Sequence, residues 1–557
     1  MKNINKIIAL FCTAAVLSTG CKKQLDVKNP NQPNPETLQT EFGIVAYGKG
    51  GVYTNGFKTL KYYDGVNGEF FAGVWGYHEL MGDVIGIEAA NQYANQLASP
   101  DKVTLDNGTV VLNPGTPNRS ASVLRLVNLN STAGSNPVYF EWAYMYSLNN
   151  ACNILLKYVD NVTYTGDAAT KKNVIKAWAY WWKGYAYARI GSMYYAGLII
   201  NSTLLDNAAP SGNYVTKEAI IAESNANFDK AAAILGPQAN NSAYTEVLSK
   251  LIPDFNQVGL GGPPTPAMWV RNINTMKARN ILVNKTTSAM TTAEWTSIVT
   301  LTNAGIQQGD MVFTARSNAN SDLLSTSSGT VAAKATSASP GSNTYKVSER
   351  IVQDYPANDK RKQNNFVQGT TWTGNTDRGN SFNTRFALKD GGNGLAGVIV
   401  YSKKTDGGQE HYIAGTWEEN ELMKAEATMY ANNFSLASIN TAMTIIDGVR
   451  AFQGAGIAAV TGVVVTQAAA KEELRKERRV GLVFRGLSFY DARRWKVIDP
   501  VSSGGGRTGA VVLSGTGVVS TNATIDYNFL DYWDVPDNEL AYDPPAAGSA
   551  PTKNPRQ

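Results

Sequence analysis

The sequence predicts a mainly α-helical fold, in which helical pairs form a scaffold carrying long irregular loops and a small β-hairpin region. Three observations lead there. Apolar residues recur at helical spacing in several long segments, helix-start and helix-stop residues bracket those segments, and unusually long polar stretches separate them. The clearest stripe is Trp178, Trp181, Trp182 and Tyr185, at i, i+3, i+4 and i+7 within 171–195. This spacing reads as core. Ala179, Ala186 and Ala188 on the same segment are small enough for a neighbouring helix to come close.

The other elements follow in order. Pro137 precedes 139–160, where Trp142, Met145, Tyr146, Ile154, Leu155 and Tyr158 keep near-helical spacing. Thr216-Lys217-Glu218 opens a helix that Gly236-Pro237 stops at about 235. Further helices are expected over 267–284, 292–308, 417–432 and 436–451. Antiparallel pairs of this length resemble degenerate tetratricopeptide repeats, in which each pair buries its face on the next. Between them lie 89–135 and 314–345, rich in Asn, Ser, Thr, Gly and Ala, and 501–524 with Gly504-Gly505-Gly506. Stretch 364–412 is Gly/Asn/Thr-rich, and Val398-Ile399-Val400-Tyr401 suggests a short hairpin there. Little regular sheet is expected elsewhere. Loops this long are uncommon unless functional or disordered, so they read as a binding face.

Composition narrows the function. The 557 residues carry 50 Lys+Arg against 45 Asp+Glu, and 43% are hydrophobic against 17% charged. That is too apolar for a disordered chain and too evenly charged to require a nucleic-acid partner. Two histidines, His78 and His411, leave little for a His-rich metal site or a catalytic triad. No cofactor or metal is expected. With Cys12 and Cys21 at the extreme N-terminus, Cys152 stands alone in the body and no internal disulfide framework is possible.

Lys2 and Lys6 precede an apolar run over 7–17, too short to span a bilayer and of secretory-signal length. The run ends in Leu17-Ser18-Thr19-Gly20-Cys21, which resembles the bacterial lipoprotein cleavage box. That resemblance implies a signal peptide over 1–20, a lipidated Cys21 and a Pro-rich tether over 21–35 with Pro30, Pro33 and Pro35. The body, 36–557, is expected to be one domain, with an N-terminal part over about 36–235 and a C-terminal part over about 265–557.

Several catalytic motifs fail. Gly454-Ala455-Gly456-Ile457-Ala458-Ala459 fits a dinucleotide fingerprint but follows a helix, not a strand. There is no P-loop, H-E-x-x-H or G-x-S-x-G sequence. His78-Glu79 reads as a surface or core pair on a helix.

The C-terminal third is the most specific part. Glu477-Arg478-Arg479-Val480-Gly481-Leu482-Val483-Phe484-Arg485-Gly486, then Asp491-Ala492-Arg493-Arg494-Trp495, resembles the E-R-R-x-E-L-x-F-E-G…D-L-R-R-W signature of the SusD/RagB family of outer-membrane nutrient-binding lipoproteins. Pro356-Ala357-Asn358-Asp359-Lys360-Arg361 resembles its P-x-N-D-x-R segment. Leu422-Met423-Lys424-Ala425-Glu426-Ala427, with Asn440 and Val449-Arg450-Ala451, resembles its helix pair, and Trp533-Asp534-Val535-Pro536-Asp537-Asn538-Glu539 its closing segment. Two acids of the signature are replaced, by Gly481 and Arg485. Between Lys471 and Lys496 stand nine Lys/Arg and four Asp/Glu. In the absence of a base-reading motif, these arginines are expected to pair with Glu477, Asp491 and backbone carbonyls, as a structural signature and not a nucleic-acid face.

The resemblance implies a non-catalytic, surface-exposed lipoprotein of the outer membrane. It would capture an oligosaccharide or polysaccharide and deliver it to a SusC-like TonB-dependent transporter, with no nucleic acid involved. The chemistry agrees, since sugar C–H faces stack on aromatic rings and hydroxyls bond amides. Alternatives are a peptide-binding member of the same family and a secreted glycoside hydrolase. By loop position and composition, the candidate ligand contacts are Trp372 with Asn375, Asp377 and Arg378, and Tyr93 with Asn91. Trp372 is expected to be displayed by its polar loop.

Overall fold

The computed structural model describes residues 35–54, 56–57, 70, 74–87, 93–203, 206, 210–257, 259–316, 335, 345–374, 383–389 and 410–556. The helices used below are α1 (Trp75–Met81), α2 (Pro137–Tyr158), α3 (Ala168–Met193), α4 (Lys217–Leu235), α5 (Pro266–Val283), α6 (Thr292–Asn303), α7 (Trp417–Ala431), α8 (Leu436–Phe452), α9 (Gln467–Gly481) and α10 (Ser488–Arg494). From α2 to α9 each helix packs on the next, the layered pairing expected of degenerate tetratricopeptide-like units.

The boundaries have a local cause. Each helix from α2 to α9 begins at an Asn, Asp, Ser or Thr whose side-chain oxygen accepts a backbone N–H of the first turn. Thr291 and Glu294 complete a reciprocal capping box at α6. Each cap contributes about 1 kcal/mol and fixes where the helix starts. Helix α6 stops at Asn303, short of the expected 308, because Gly305 sits against the Asn420 amide; a Cβ there would meet Asn420 Oδ1 at 2.0 Å.

The tryptophan stripe is core. Trp178, Trp181 and Trp182 are fully buried on α3 among Tyr53, Phe57, Trp269 and Phe313. Two of the indoles also bond: Trp178 Nε1 donates to the Gly48 carbonyl at 3.1 Å, and Trp181 Nε1 to Asn272 Oδ1 on α5 at 3.0 Å. Gly184 lets α4 lie against α3, since a Cβ would stand 2.6 Å from the Phe228 ring. One apolar core runs from Leu38 to Val535. No helix among the described residues is long and apolar enough to cross a membrane.

Strands are short: β1 (Ile85–Ile87), β2 (Lys102–Thr104), β3 (Val110–Leu112), β4 (Ala196–Leu198), β5 (Tyr214–Thr216), β6 (Thr314–Arg316), β7 (Tyr345–Val347), β8 (Phe366–Trp372), β9 (Thr384–Leu388), β10 (Glu410–Tyr412), β11 (Arg507–Leu513) and β12 (Val519–Asp526). The antiparallel pairs are β1–β7, β4–β5, β6–β10 and β8–β9. The little regular sheet expected outside 364–412 includes a four-stranded antiparallel sheet ordered β11-β12-β2-β3. Stretch 501–524 is largely the β11–β12 hairpin. Its Val, Thr and Ile residues suit a pleated surface, and Ser514-Gly515-Thr516-Gly517 makes the turn. Val398-Ile399-Val400-Tyr401 lies outside the described residues.

Candidate functional site

The signature residues build an interior ion-pair network. Asp491 accepts Arg478 Nε at 2.8 Å and Arg494 Nε at 2.7 Å, and Arg494 Nη2 also reaches Glu426 Oε2 on α7 at 2.7 Å. Glu477 on α9 accepts Arg361 Nη1 at 2.6 Å and Arg450 Nε of α8 at 2.8 Å, and Asp359 holds Arg361 from the other side at 2.8 Å. Arg479 reaches Asp354 at 2.6 Å and the carbonyls of Gly82 and Asp83 at 2.7 and 3.0 Å. Arg493 donates to three carbonyls, of Ser192, Val283 and Asp531. Arg478, Arg479, Arg493 and Arg494 of this basic run are thus engaged internally.

The charge states follow. Burial pushes Asp491 up, but Arg478 and Arg494 outweigh it and hold the carboxyl below its ordinary value. Asp83, beneath Arg350 and Arg479, is held low in the same way. The two replaced acids leave this intact. Gly481 gives its carbonyl to Gln453 Nε2 at 2.9 Å, and the Arg485 guanidinium lies 4.0 Å from the Tyr412 ring centroid. Phe484 is buried with φ 58°. Gly486 is required twice over, by φ 69° and by the Trp75 ring, 2.5 Å from where a Cβ would stand. Its N–H donates to Glu79 Oε1 at 2.6 Å. His78 and Glu79 are both buried on α1, and His78 Nε2 pairs with Glu141 at 2.9 Å. Trp495 closes the segment, its indole donating to Glu426 at 3.2 Å. Trp142 Nε1 donates to Glu539 of the closing segment at 2.9 Å.

Of the candidate contacts, Tyr93 is displayed: it is 39% exposed, with φ 54°, at the start of the short helix Ala94–Ala98. Trp372 corrects the expectation of a displayed ring. It is 1% exposed, opposite Thr384 in the β8–β9 pair, with the buried Lys346 Nζ of β7 5.5 Å from the ring centroid. Strand alternation is the cause: Thr371 and Thr373 face out and Trp372 faces in. The run Thr370-Thr371-Trp372-Thr373 has strand character, a signal obscured by the glycines around it. Asn91, Asn375, Asp377, Arg378 and Cys21, the expected anchor, lie outside the described residues. Trp372→Ala is expected to cost on the order of 2–4 kcal/mol, below the extreme for a large core ring because this cluster is small. Chemical denaturation checks it; unchanged stability with weakened glycan binding would make the ring a contact residue.

Sequence reasoning missed a second feature. A cleft of about 500 Å³ opens between the loop Pro356–Asp359 and the β8–β9 pair. Its walls include the half-buried Phe386 ring, Gln363, Gln368 and Asn358, the last with φ 63°. Aromatic surface next to amides is the pairing a sugar needs. The P-x-N-D-x-R segment signalled only structure, and Phe386 on β9 carries no signal of its own. Among the described residues no group of three or more His, Cys, Asp and Glu side chains stands where it would hold a metal.

Residues 303–543, which contain α7 to α10 and the ion pairs around Asp491 and Glu477, match the SusD family model. The fold extends the likeness to nearly the full chain. A SusD-like protein from Bacteroides fragilis aligns over 94% of this chain and 98% of its own, at 13% identity and TM-score 0.54. The C-terminal segment is that of the SusD family, and the chain has the SusD fold. Surface glycan-binding protein A from Bacteroides uniformis shares this SusD fold over 94% of this chain and all of its own, at 15% identity and TM-score 0.53. A SusD-like carbohydrate binding protein from Bacteroides fragilis does so over 84% and 97%, at 13% identity and TM-score 0.51. No curated protein matches.

Proposed function

We propose that this chain is a SusD family member and a non-catalytic glycan-binding lipoprotein, anchored by Cys21 in the outer membrane, surface-exposed, and organised as one domain from residue 36 onward. It captures an oligosaccharide and passes it to a partner TonB-dependent transporter. One observation carries the reading: the family match falls on the segment that builds the interior network, in a chain whose fold is that of proteins named for binding carbohydrate. The cleft beside β8–β9 supports it, with Phe386 as the stacking ring and Gln363, Gln368 and Asn358 as hydroxyl partners. Tyr93 is the second aromatic contact. Neither interaction calls for a nucleophile or a metal.

The test is a glycan array followed by calorimetry with the glycan it identifies. Phe386→Ala is expected to weaken binding about tenfold or more, since stacking plus lost area exceeds roughly 1.4 kcal/mol. Tyr93→Ala is expected to weaken it less. Unchanged affinity in both variants would remove both rings from the site. Glycan fragments released by purified protein would overturn the non-catalytic reading, and selective binding of extended peptides would favour the peptide-binding alternative.

A further inference from the structure

A second cleft, of about 380 Å³, lies between α9, α10 and β11. Its floor is Asp354, 2% exposed, which accepts Arg479 at 2.6 Å, Arg507 at 2.9 Å and Arg475 at 3.0 Å. Four carboxylates line the cleft, but two are engaged from behind. Asp83 is held by Arg350 at 2.8 Å and by the Tyr527 hydroxyl at 2.6 Å, and Asp491 by Arg478 and Arg494. Only Asp354 and Glu472 remain to face Arg475, Lys476, Arg479 and Arg507, so cations outnumber anions in the open cleft. Burial would push Asp354 up. Arg507, Arg479 and Arg475 outweigh it and hold the carboxyl far below its ordinary range, which gauges the positive potential at that point.

Donor capacity is left over. Arg475 Nη1 has no acceptor among the described residues, and the nearest carboxylate to Lys476 Nζ is Glu472 at 3.5 Å. Arg507 Nη1 makes one long contact, 3.3 Å to Asp354. Beside these donors stand the half-buried Trp495 ring and the apolar Val497 and Ile498. Guanidinium forks and an ammonium select a carboxylate, and an indole next to them suits a sugar-sized apolar face. The volume falls in the range of small-molecule sites and is too narrow for a nucleic-acid groove.

We propose that this cleft binds a small carboxylated ligand of sugar size, of the uronic acid class, independently of the glycan cleft beside β8–β9.

Calorimetry of the purified protein with glucuronate, glucose and inorganic phosphate tests it. Glucuronate is expected to bind, more weakly as salt is raised, and glucose to give no signal. Lys476→Gln is expected to weaken glucuronate about tenfold, the scale of one charge-assisted hydrogen bond. Lys476→Glu should abolish binding with at most a small loss of melting temperature, because Lys476 is half-buried and its nearest carboxylate among the described residues, Glu472, lies at 3.5 Å. Arg507→Gln gives a second reading from the opposite wall. Glucose binding as well as glucuronate, or glucuronate affinity unaltered in Lys476→Glu, would overturn the proposal. Inorganic phosphate binding as tightly as glucuronate would overturn the carboxylate assignment. Phe386→Ala is expected to leave glucuronate affinity unchanged, so failure here and failure of the glycan reading are told apart.

Discussion

Asp491→Ala is expected to destabilise the protein by about 3–5 kcal/mol, the cost of stranding a buried charge. Asp491 is the only ion-pair partner of the buried Arg478 among the described residues, and it shares Arg494 with Glu426. Removing it leaves Arg478 without a carboxylate in the interior. The internal control is Glu472→Ala, whose half-exposed carboxylate pairs with Arg475 at 2.7 Å and is expected to cost less than about 1 kcal/mol. Urea unfolding measures both. A cost for Asp491→Ala no larger than for Glu472→Ala would mean that the network contributes shape and not stability.

The second large effect is on pH dependence, read as the stability difference between Glu79→Gln and the parent. Burial raises the Glu79 carboxyl to about 7, although the Gly486 N–H, the Ser488 hydroxyl and Arg479 all pull it down. A folded-state value above the unfolded 4.5 means a contribution fully present below about pH 4.5 and lost as pH rises through 7. The Glu79→Gln variant isolates that limb, because its amide cannot ionise there. The variant is expected to gain on the parent by roughly 3 kcal/mol between pH 4 and pH 8, because each tenfold change in proton affinity is worth about 1.4 kcal/mol. A difference curve flat across that window would remove the buried carboxyl as its source. Below pH 4 both proteins are expected to weaken together. Burial pushes Asp83, Glu141, Asp354 and Asp491 up, but their basic partners hold all four below their ordinary values, so their contribution disappears as acid protonates them.

What could be read from the sequence was local or periodic. Thr216, Pro137 and Gly236 announced helix ends through backbone chemistry that needs no tertiary partner, and the stripe from Trp178 to Tyr185 announced the core. The signature arginines were legible as a network because several acids stand within a few turns of them. Their distant partners were not. Nothing local marks Asp354 as the meeting point of Arg475, Arg479 and Arg507, or Glu426 as the partner of Arg494. Trp372 was misplaced for a related reason. Polar, glycine-rich surroundings resemble a displayed loop, and only pairing with Thr384 and packing under Lys346 turn the ring inward. The cleft around Phe386 depends on two strands and a loop meeting, which no single stretch of sequence encodes.

The four-stranded sheet sets an order of assembly. Its inner pairing joins Thr104 to Thr524, so the β2–β3 hairpin, made early in synthesis, waits with an open hydrogen-bonding edge until nearly the whole chain exists. The helical layers from α2 to α6 pack neighbour on neighbour in chain order and form without that delay. Closing the sheet is therefore a late, long-range step. A chain truncated before residue 519 would leave Lys102–Thr104 as an open edge for another copy, which the C-terminal hairpin covers in the folded chain.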